Sequence, residues 1–393
     1  MLELLFLLLP VAVAYGWYMG RRSVRIDEER KSSLRSRNYA AGINFLLSDQ
    51  PDKAVDLFID LLQVDTDTID THLALGNLFR QRGEVDRAIR IHQNLVSRCF
   101  DATDQQNLSM LELARDFVAA GLLDRAENVL ISLLKDDELA DDARKMLLQI
   151  YEQLNEWQKA IDIANKLSGK NHHRIVAHYF CQLAENDIAI DSFKNAASKL
   201  KQALKSDPKC VRAQILFAQL FIKQQQFEPA IKYIEQIPIL SAAFASDAWK
   251  LLQQCKASIE DVALAEILTR WLEHTQSSTV ALALAEVIQS KQGVRDAEAF
   301  ILRHIKRNPT MKGFHRLMSY QIDAMHDDKA AESIVLLRTL VEKQMATKPV
   351  YRCEHCGFSS KIIFWHCPSC KQWGSISPIQ GLDGEDRKST RLN

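Results

Sequence analysis

The sequence predicts an all-α fold: a long array of helical hairpins, preceded by an apolar segment and followed by a small cysteine-bearing module. Three observations carry this. A small residue recurs at Ala54, Ala88, Ala126, Ala160, Ala196, Ala230, Ala263, Ala297 and Ala330, in steps of 34, 38, 34, 36, 34, 33, 34 and 33 residues. A period near 34 is that of a two-helix unit that cannot bury its apolar face alone and must stack on its neighbours. Only 13 of 393 residues are glycine, which leaves little material for a β-rich fold or a phosphate-cradling loop. After Lys348-Pro349 the helical pattern stops, and two C-x-x-C pairs appear within a short stretch.

The unit is clearest from Ile69 to Arg98, where Leu75-Gly76 and Phe79 precede the turn Arg82-Gly83-Glu84, followed by Ala88, His92 and Leu95. Small residues at Gly42, Gly76, Ala114, Ala184, Ala218 and Ala285 let a partner helix approach, while Leu148 takes that place in one unit. Aromatics three residues later (Phe45, Phe79, Phe117 and Phe221) are placed to wedge between pairs. Pro208 and Pro309 stand where a second helix must end, because proline has a fixed φ and no N–H to donate. In these features residues 35–345 resemble about nine tetratricopeptide repeats, which implies a superhelix. Asn77, Arg80 and Arg115, with Tyr39, are expected on its concave face as partner contacts.

The array is preceded by MLELLFLLLPVAVAYGWYMG, in which Glu3 is the only charged side chain before Arg21. About 18 apolar residues rising 1.5 Å each reach about 27 Å, just enough for a hydrocarbon core, so residues 1–20 are expected to form a transmembrane anchor. A cleaved signal peptide competes through Ala12-Val13-Ala14, but its positive charge should precede the apolar run, and here it follows. Residues 21–34 are expected to be a basic membrane-proximal linker led by Arg21, Arg22 and Arg25. From Arg21 to Arg37 seven basic residues face three acidic ones, which by the positive-inside rule puts the body of the chain on the cytoplasmic side. The linker either contacts anionic headgroups or is simply solvated.

Lysine plus arginine equals aspartate plus glutamate at 50 each, so there is no bulk attraction for nucleic acid, and none is expected as a partner. The sequence contains no Walker, H-E-x-x-H, G-x-S-x-G or G-x-G-x-x-G signature, so no enzymatic activity is expected. Cys99, Cys181, Cys210 and Cys255 lie within helical repeats as small hydrophobes, and His172-His173 opens a helix after the break at Ser168-Gly169.

Residues 349–378 hold Cys353, Cys356, Cys367 and Cys370 as two knuckles separated by ten residues. Two such pairs of thiolates close a tetrahedral site around one metal ion, iron or zinc. A disulfide framework would suit an oxidising compartment and not the cytoplasm. The segments Cys353-Glu-His-Cys-Gly357 and Cys367-Pro-Ser-Cys370 resemble the knuckles of a rubredoxin-like or zinc-ribbon module, with Lys371 standing where a second glycine is usual. His355 and His366 adjoin the ligands without being needed. Phe358, Ile362, Ile363, Phe364, Trp365 and Trp373 exceed what about 30 residues can hide, so the module is expected to dock on the last repeats. Residues 379–393 are expected to be a disordered tail.

The combination of MLELLFLLLPVAVAYGWYMGRR, the repeats and YRCEHCGF…WHCPSC resembles the lipopolysaccharide assembly protein B family of Gram-negative bacteria. The resemblance implies a non-enzymatic adaptor of the inner membrane that promotes degradation of the lipid A pathway deacetylase by a membrane-bound AAA+ metalloprotease. It also implies restraint by another inner-membrane protein acting through the transmembrane region. The residues alone reach only a membrane-tethered, metal-stabilised binding scaffold. A scaffold or co-chaperone organising envelope-assembly enzymes, and a redox protein using the four-cysteine centre, are the competing readings.

Overall fold

The computed structural model describes residues 15, 17–21, 41, 44–45, 53, 69–98, 103–167, 172–324 and 328–379. Most of the expected anchor, the linker residues Arg22 and Arg25, the ladder position Ala54, the side chain of Ala330 and the tail beyond residue 379 lie outside them. Among the described residues no helix is long and apolar enough to cross a membrane. Arg21 is described, and its guanidinium lies 4.8 Å above the Trp17 ring.

The chain divides into two compact units, residues 1–154 and 155–393. The first holds α1 (Ile69–Gln81), α2 (Val85–Arg98), α3 (Thr103–Ala119), α4 (Leu123–Leu133) and α5 (Ala140–Leu154). The second begins with α6 (Trp157–Ala164), α7 (His172–Ala189), α8 (Phe193–Ser206), α9 (Val211–Lys223) and α10 (Phe227–Leu240). A 3-10 turn (Ala242–Phe244) then leads into α11 (Ala245–Gln254), followed by α12 (Asp261–Thr275) and α13 (Ser278–Gln292). The helical part ends with α14 (Val294–Arg307), α15 (Met311–Ala324) and α16 (Asp328–Thr347).

The period of the sequence is written into the turns. Gly83, Gly121, Asn155, Asp191 and Gln225 all have positive φ, between 57° and 83°, and each stands five residues before a ladder alanine. Around four of them the backbone closes in the same way. The residue after the turn donates to the carbonyl five back: Glu84 to Phe79, Leu122 to Phe117, Ser192 to Asp187 and Gln226 to Phe221, at 2.8–2.9 Å. The turn residue itself donates three back, Gly83 to Arg80 and Gln225 to Ile222 among them. This is the Schellman closure, which satisfies the last carbonyls of one helix and reverses the chain toward the next. Glycine enters the left-handed region freely, asparagine and aspartate tolerate it, and glutamine is strained there by about 1 kcal/mol or more.

Ala88, Ala126, Ala160, Ala196, Ala230 and Ala297 are fully buried, as are Ala114, Ala184, Ala218 and Ala285 on the opposing helices. Ala263 is an exception: it is exposed, and Leu264 fills the inward position instead. The reason is local. Before α12 the chain passes through a second 3-10 turn (Lys256–Ser258) and extended Ile259 and Glu260, without a left-handed turn residue, so the register slips by one.

Gly76 is fixed by a close approach. A Cβ built on it would lie 2.3 Å from Nε2 of the fully buried His92, whose Nδ1 is 2.5 Å from Asp116 Oδ2. Arg80 joins the same buried network through Asp116 at 2.8 Å, Glu112 at 2.7 Å and Asn77 Oδ1 at 2.6 Å. Arg115 pairs with the other side of Glu112, and its side chain is 42% exposed against 18% for Arg80.

After α16 come three short strands, β1 (Tyr351–Cys353), β2 (Ser359–Ser360) and β3 (Ile376–Pro378), in the antiparallel order β2-β1-β3. Tyr351 pairs with Ser360 on one side and Pro378 on the other, while Cys353 opposes Ile376.

Candidate metal centre and its docking platform

Each C-x-x-C pair is bent into a knuckle by a left-handed residue just after its second cysteine. Gly357 has φ +79° and Lys371 has φ +57°, and each donates its N–H to the carbonyl of the first cysteine, Cys353 at 3.0 Å and Cys367 at 2.9 Å. The second knuckle is thus built like the first although a lysine occupies the strained position. His366 helps to hold it: its Nε2 lies 2.9 Å from the Lys371 carbonyl, and its ring stacks on Trp373 at 4.5 Å. That nitrogen is therefore engaged away from the sulfurs.

The knuckles bring together all four cysteine Sγ atoms, each within 4.8 Å of the others. Across the knuckles Cys353 faces Cys370 and Cys356 faces Cys367, both at 3.7 Å. Four sulfurs each about 2.3 Å from a central ion stand about 3.8 Å apart along the edges of a tetrahedron, so this spacing fits one metal ion. It is far from the ~2.05 Å of a disulfide. The electrostatics agree. Burial opposes ionisation of Cys353, but the Ser375 hydroxyl and the N–H groups of Cys356 and His355 outweigh it and bring the thiol down to about 6. Burial, joined by the crowding of Cys367, Cys353 and Cys356, pushes Cys370 up to about 12. Four adjacent thiols cannot all ionise beside one another unless a cation compensates them. Four sulfurs also fill a tetrahedron, which leaves no open position on the ion for a substrate.

The module's apolar side chains do not close on themselves. Tyr351, Cys353, Cys367 and Ile376 form its own small core with Phe358 and Phe364, while Ile363 and Trp365 pack into the core of the helical repeats. Trp365 stacks on Phe244 at 5.6 Å. Trp373 stacks on His178 at 5.6 Å and meets Tyr179 and Trp157 edge-on at 5.5 and 5.9 Å. Between the two tryptophans sits the Arg212 guanidinium, 5.8 Å from one ring and 5.9 Å from the other. Arg212 is 3% exposed; it donates to both oxygens of Glu185 at 2.8 and 3.3 Å and to Gln182 at 2.9 Å. A paired guanidinium is thus presented to two aromatic faces away from water, where cation–π attraction is strongest.

Two further contacts complete the fit. Tyr351 donates its hydroxyl to Asp247 Oδ1 at 2.8 Å; burial and that carboxylate raise the phenol well above its ordinary range. Gly374, at φ +62°, lies so close to His178 that an added Cβ would stand 2.8 Å from Nε2. Burial, the Arg212 charge and His366 push His178 down to about 3, so it is neutral in the docked state.

The platform corrects one expectation. The module rests on α6, α7, α9 and the segment leading into α11, in the middle of the array and not on its last repeats. The aromatic and guanidinium groups that can receive its tryptophans are gathered there. The final helices close their own core around Ala285, Ala297, Ile301, Ile305 and Tyr320. Sequence reading did not single out Trp157, His178, Tyr179, Glu185 or Arg212; the one available signal was an arginine in the first turn of the mostly apolar α9, VRAQILFAQLFIK.

Family profiles match both the repeats and the metal module. Residues 351–378 match the profile of a family described as a rubredoxin metal binding domain, and residues 71–106, 111–170 and 191–255 match tetratricopeptide repeat profiles. The chain is 43% identical over 388 residues to lipopolysaccharide assembly protein B of Escherichia coli (strain K12), covering 98% of this chain and all of that protein. It is 40% identical over 395 residues to the protein of the same name from Haemophilus influenzae, again covering 98% of this chain and all of the relative. A solved tetratricopeptide repeat protein from Parabacteroides merdae covers 70% of this chain and 99% of its own at 13% identity and a TM-score of 0.31.

Proposed function

The chain belongs to the lipopolysaccharide assembly protein B family, and on that premise we propose that it is a non-catalytic adaptor of the bacterial inner membrane. Its role is to present the lipid A pathway deacetylase to a membrane-bound AAA+ metalloprotease and so limit lipopolysaccharide synthesis. The name shared by its relatives points to lipopolysaccharide assembly and hence to the envelope, and tetratricopeptide repeats are protein-binding scaffolds. The observation that carries the reading is the seat of the metal module. Trp365 and Trp373 close over Arg212, so a four-sulfur knot becomes part of the repeat surface, and its stabilisation is invested in the shape of a recognition face. An ion held by all four cysteines supplies folding energy to that face.

Residues 1–20 serve in this reading as the tether. Holding adaptor, protease and substrate at one membrane raises their effective concentration without a new contact. Asn77, Arg80 and Arg115 are proposed to border a partner surface on α1 and α3, with Arg115 as the side chain turned outward. The test is crosslinking in native membranes followed by capture of the chain. Recovery of both protease and deacetylase supports the adaptor; recovery of envelope-assembly enzymes alone replaces it with a scaffold. Deletion of residues 1–20 should slow deacetylase turnover at equal protein level, and unchanged turnover removes the tether.

A further inference from the structure

We propose that Cys181 and Cys210 are a redox modification site, in which a hydroperoxide joins the two sulfurs as a disulfide and thereby unseats the metal module. The fold brings together two cysteines from different hairpins. Cys181 lies in the middle of α7, Cys210 stands immediately before α9, and their Sγ atoms are 4.0 Å apart. The two sulfurs are not equivalent. Cys210 follows the exposed Pro208 and Lys209 and is 4% exposed, whereas Cys181 is sealed at 0%. The Cys181 thiol beside it and the Ala213 N–H favour the anion and hold Cys210 below the ordinary thiol range, against its burial and the Asp207 charge. Burial and the neighbouring Cys210 push Cys181 up, and Glu185 opposes the help it has from Arg212. An acidic thiol at the edge of the fold with a neutral one behind it is the arrangement of an attacking and a resolving cysteine.

The chemistry takes two steps. The Cys210 thiolate attacks one oxygen of the hydroperoxide; an S–O bond forms, the O–O bond breaks, and an alcohol or water leaves after taking up a proton. Cys210 is then a sulfenic acid. The Cys181 sulfur attacks the Cys210 sulfur; the S–S bond forms, the S–O bond breaks, and hydroxide leaves as water with the Cys181 proton. The sulfurs lose two electrons and the hydroperoxide gains them. In a reducing compartment the bond is transient, because a cellular dithiol reverses it by exchange through a mixed disulfide.

The segments that carry the two sulfurs also carry the module's seat. His178, one turn before Cys181, stacks on Trp373, and Gln182, next after it, accepts from Arg212 at 2.9 Å. Arg212, two residues after Cys210, lies between the module's two tryptophans. Bonding must bring the sulfurs from 4.0 Å to about 2.05 Å. Ala177, Ala184 and Ala213 are fully buried around the pair, and a close-packed interior passes such a displacement on to its neighbours. The pull between α7 and the start of α9 therefore falls on the Arg212 clamp. The bond itself needs only the two sulfurs; its effect needs the docked module.

The test treats the metal-loaded full-length chain with hydrogen peroxide and follows peptide masses, metal content and hydrogen exchange over α7 and α9. The parent should yield a peptide linking Cys181 to Cys210, about 2 Da lighter than its two halves together. Exchange over both helices should rise about tenfold, and dithiothreitol should reverse link and exchange alike. Cys210→Ser keeps a good residue before the helix and should show neither at the same dose. In Cys181→Ala the reaction should stop at the Cys210 sulfenic acid, which dimedone traps. Circular dichroism and thermal melting check that both variants fold, and the parent's linkage and its reversal decide the question where one melts early. Sulfurs that stay unlinked at doses that leave the metal in place overturn the proposal. So does a linked chain whose exchange is unchanged. Equal acceleration in Cys210→Ser would assign the effect to the sulfurs of the metal module and would also overturn it.

Discussion

Replacing Gly374 by alanine should undock the metal module without disturbing its metal. The substitution touches none of the four cysteines, but it adds a Cβ at φ +62° and 2.8 Å from His178 Nε2. A left-handed alanine costs about 1–2 kcal/mol relative to glycine. His178 cannot give way cheaply, because its ring is held against Trp373 at 5.6 Å and beside Trp365 at 6.1 Å, so the overlap should cost a further 1–2 kcal/mol or so. The sum, roughly 2–4 kcal/mol, shifts the docked-to-undocked ratio by about 30- to 1000-fold. Hydrogen exchange of the α7 and α9 faces and protease cleavage around residue 349 should both accelerate, with metal content unchanged. In Gly374→Ala with His178→Ala the overlap is relieved and the backbone part alone should remain. Unchanged exchange and cleavage in the single variant would refute the reasoning, as would equal effects with and without His178.

Acid should weaken the docked state through His178. The group is held neutral in the fold, with its pKa lowered to about 3, but takes up a proton near pH 6.5 when unfolded. Its contribution is therefore whole above about pH 6.5 and falls by about 1.4 kcal/mol per unit as pH drops toward its folded value. Denaturant melts of the parent and His178→Gln between about pH 4 and 5.5 should differ in slope by nearly that amount, and above about pH 7 by almost nothing. Arg80→Ala takes one partner from Glu112 and Asp116, whose side chains are 7% and 0% exposed and which keep Arg115 and His92, and should cost about 2 kcal/mol in the melting of the first unit. Arg115→Ala should cost under about 1 kcal/mol, so any loss of partner capture in that variant reports on the surface itself. Gln225→Gly, at φ +57°, should stabilise the second unit by about 1 kcal/mol in thermal melts, and a destabilisation would remove the strain assigned to that turn.

The repeat period was legible because close helix packing admits only small residues: Ala88, Ala126 and Ala196 had to be alanine for the helices to approach. The metal site was legible because metal ligation needs particular atoms at particular spacing, and Cys353, Cys356, Cys367 and Cys370 advertise it. The turn code was half hidden. Gly83 and Gly121 announce a left-handed residue, but Asn155, Asp191 and Gln225 reach the same conformation with side chains that are equally common elsewhere in helices and turns. The slip at Ala263 comes from the 3-10 turn before it, which leaves no mark on alanine spacing. The surplus of aromatics on the module revealed that it must dock. The place of docking depends on Trp157, Tyr179 and Arg212, up to 55 residues apart in sequence, converging through the repeat stacking, and no local pattern records that convergence. Arg80 reads as a surface arginine until Glu112 and Asp116 are seen to reach it from the next hairpin.

The central claim is that metal held by four cysteines maintains a docked face on the repeat array. The most direct measurement is hydrogen exchange over 172–189 and 211–223, with metal analysis, on Cys367→Ser beside the parent. The parent should carry one ion per chain and protect His178, Tyr179 and Arg212 beneath the module. The variant should carry none, with protection lost there but unchanged over 69–98. A metal-free variant in which α7 and α9 stay as protected as in the parent would contradict the claim.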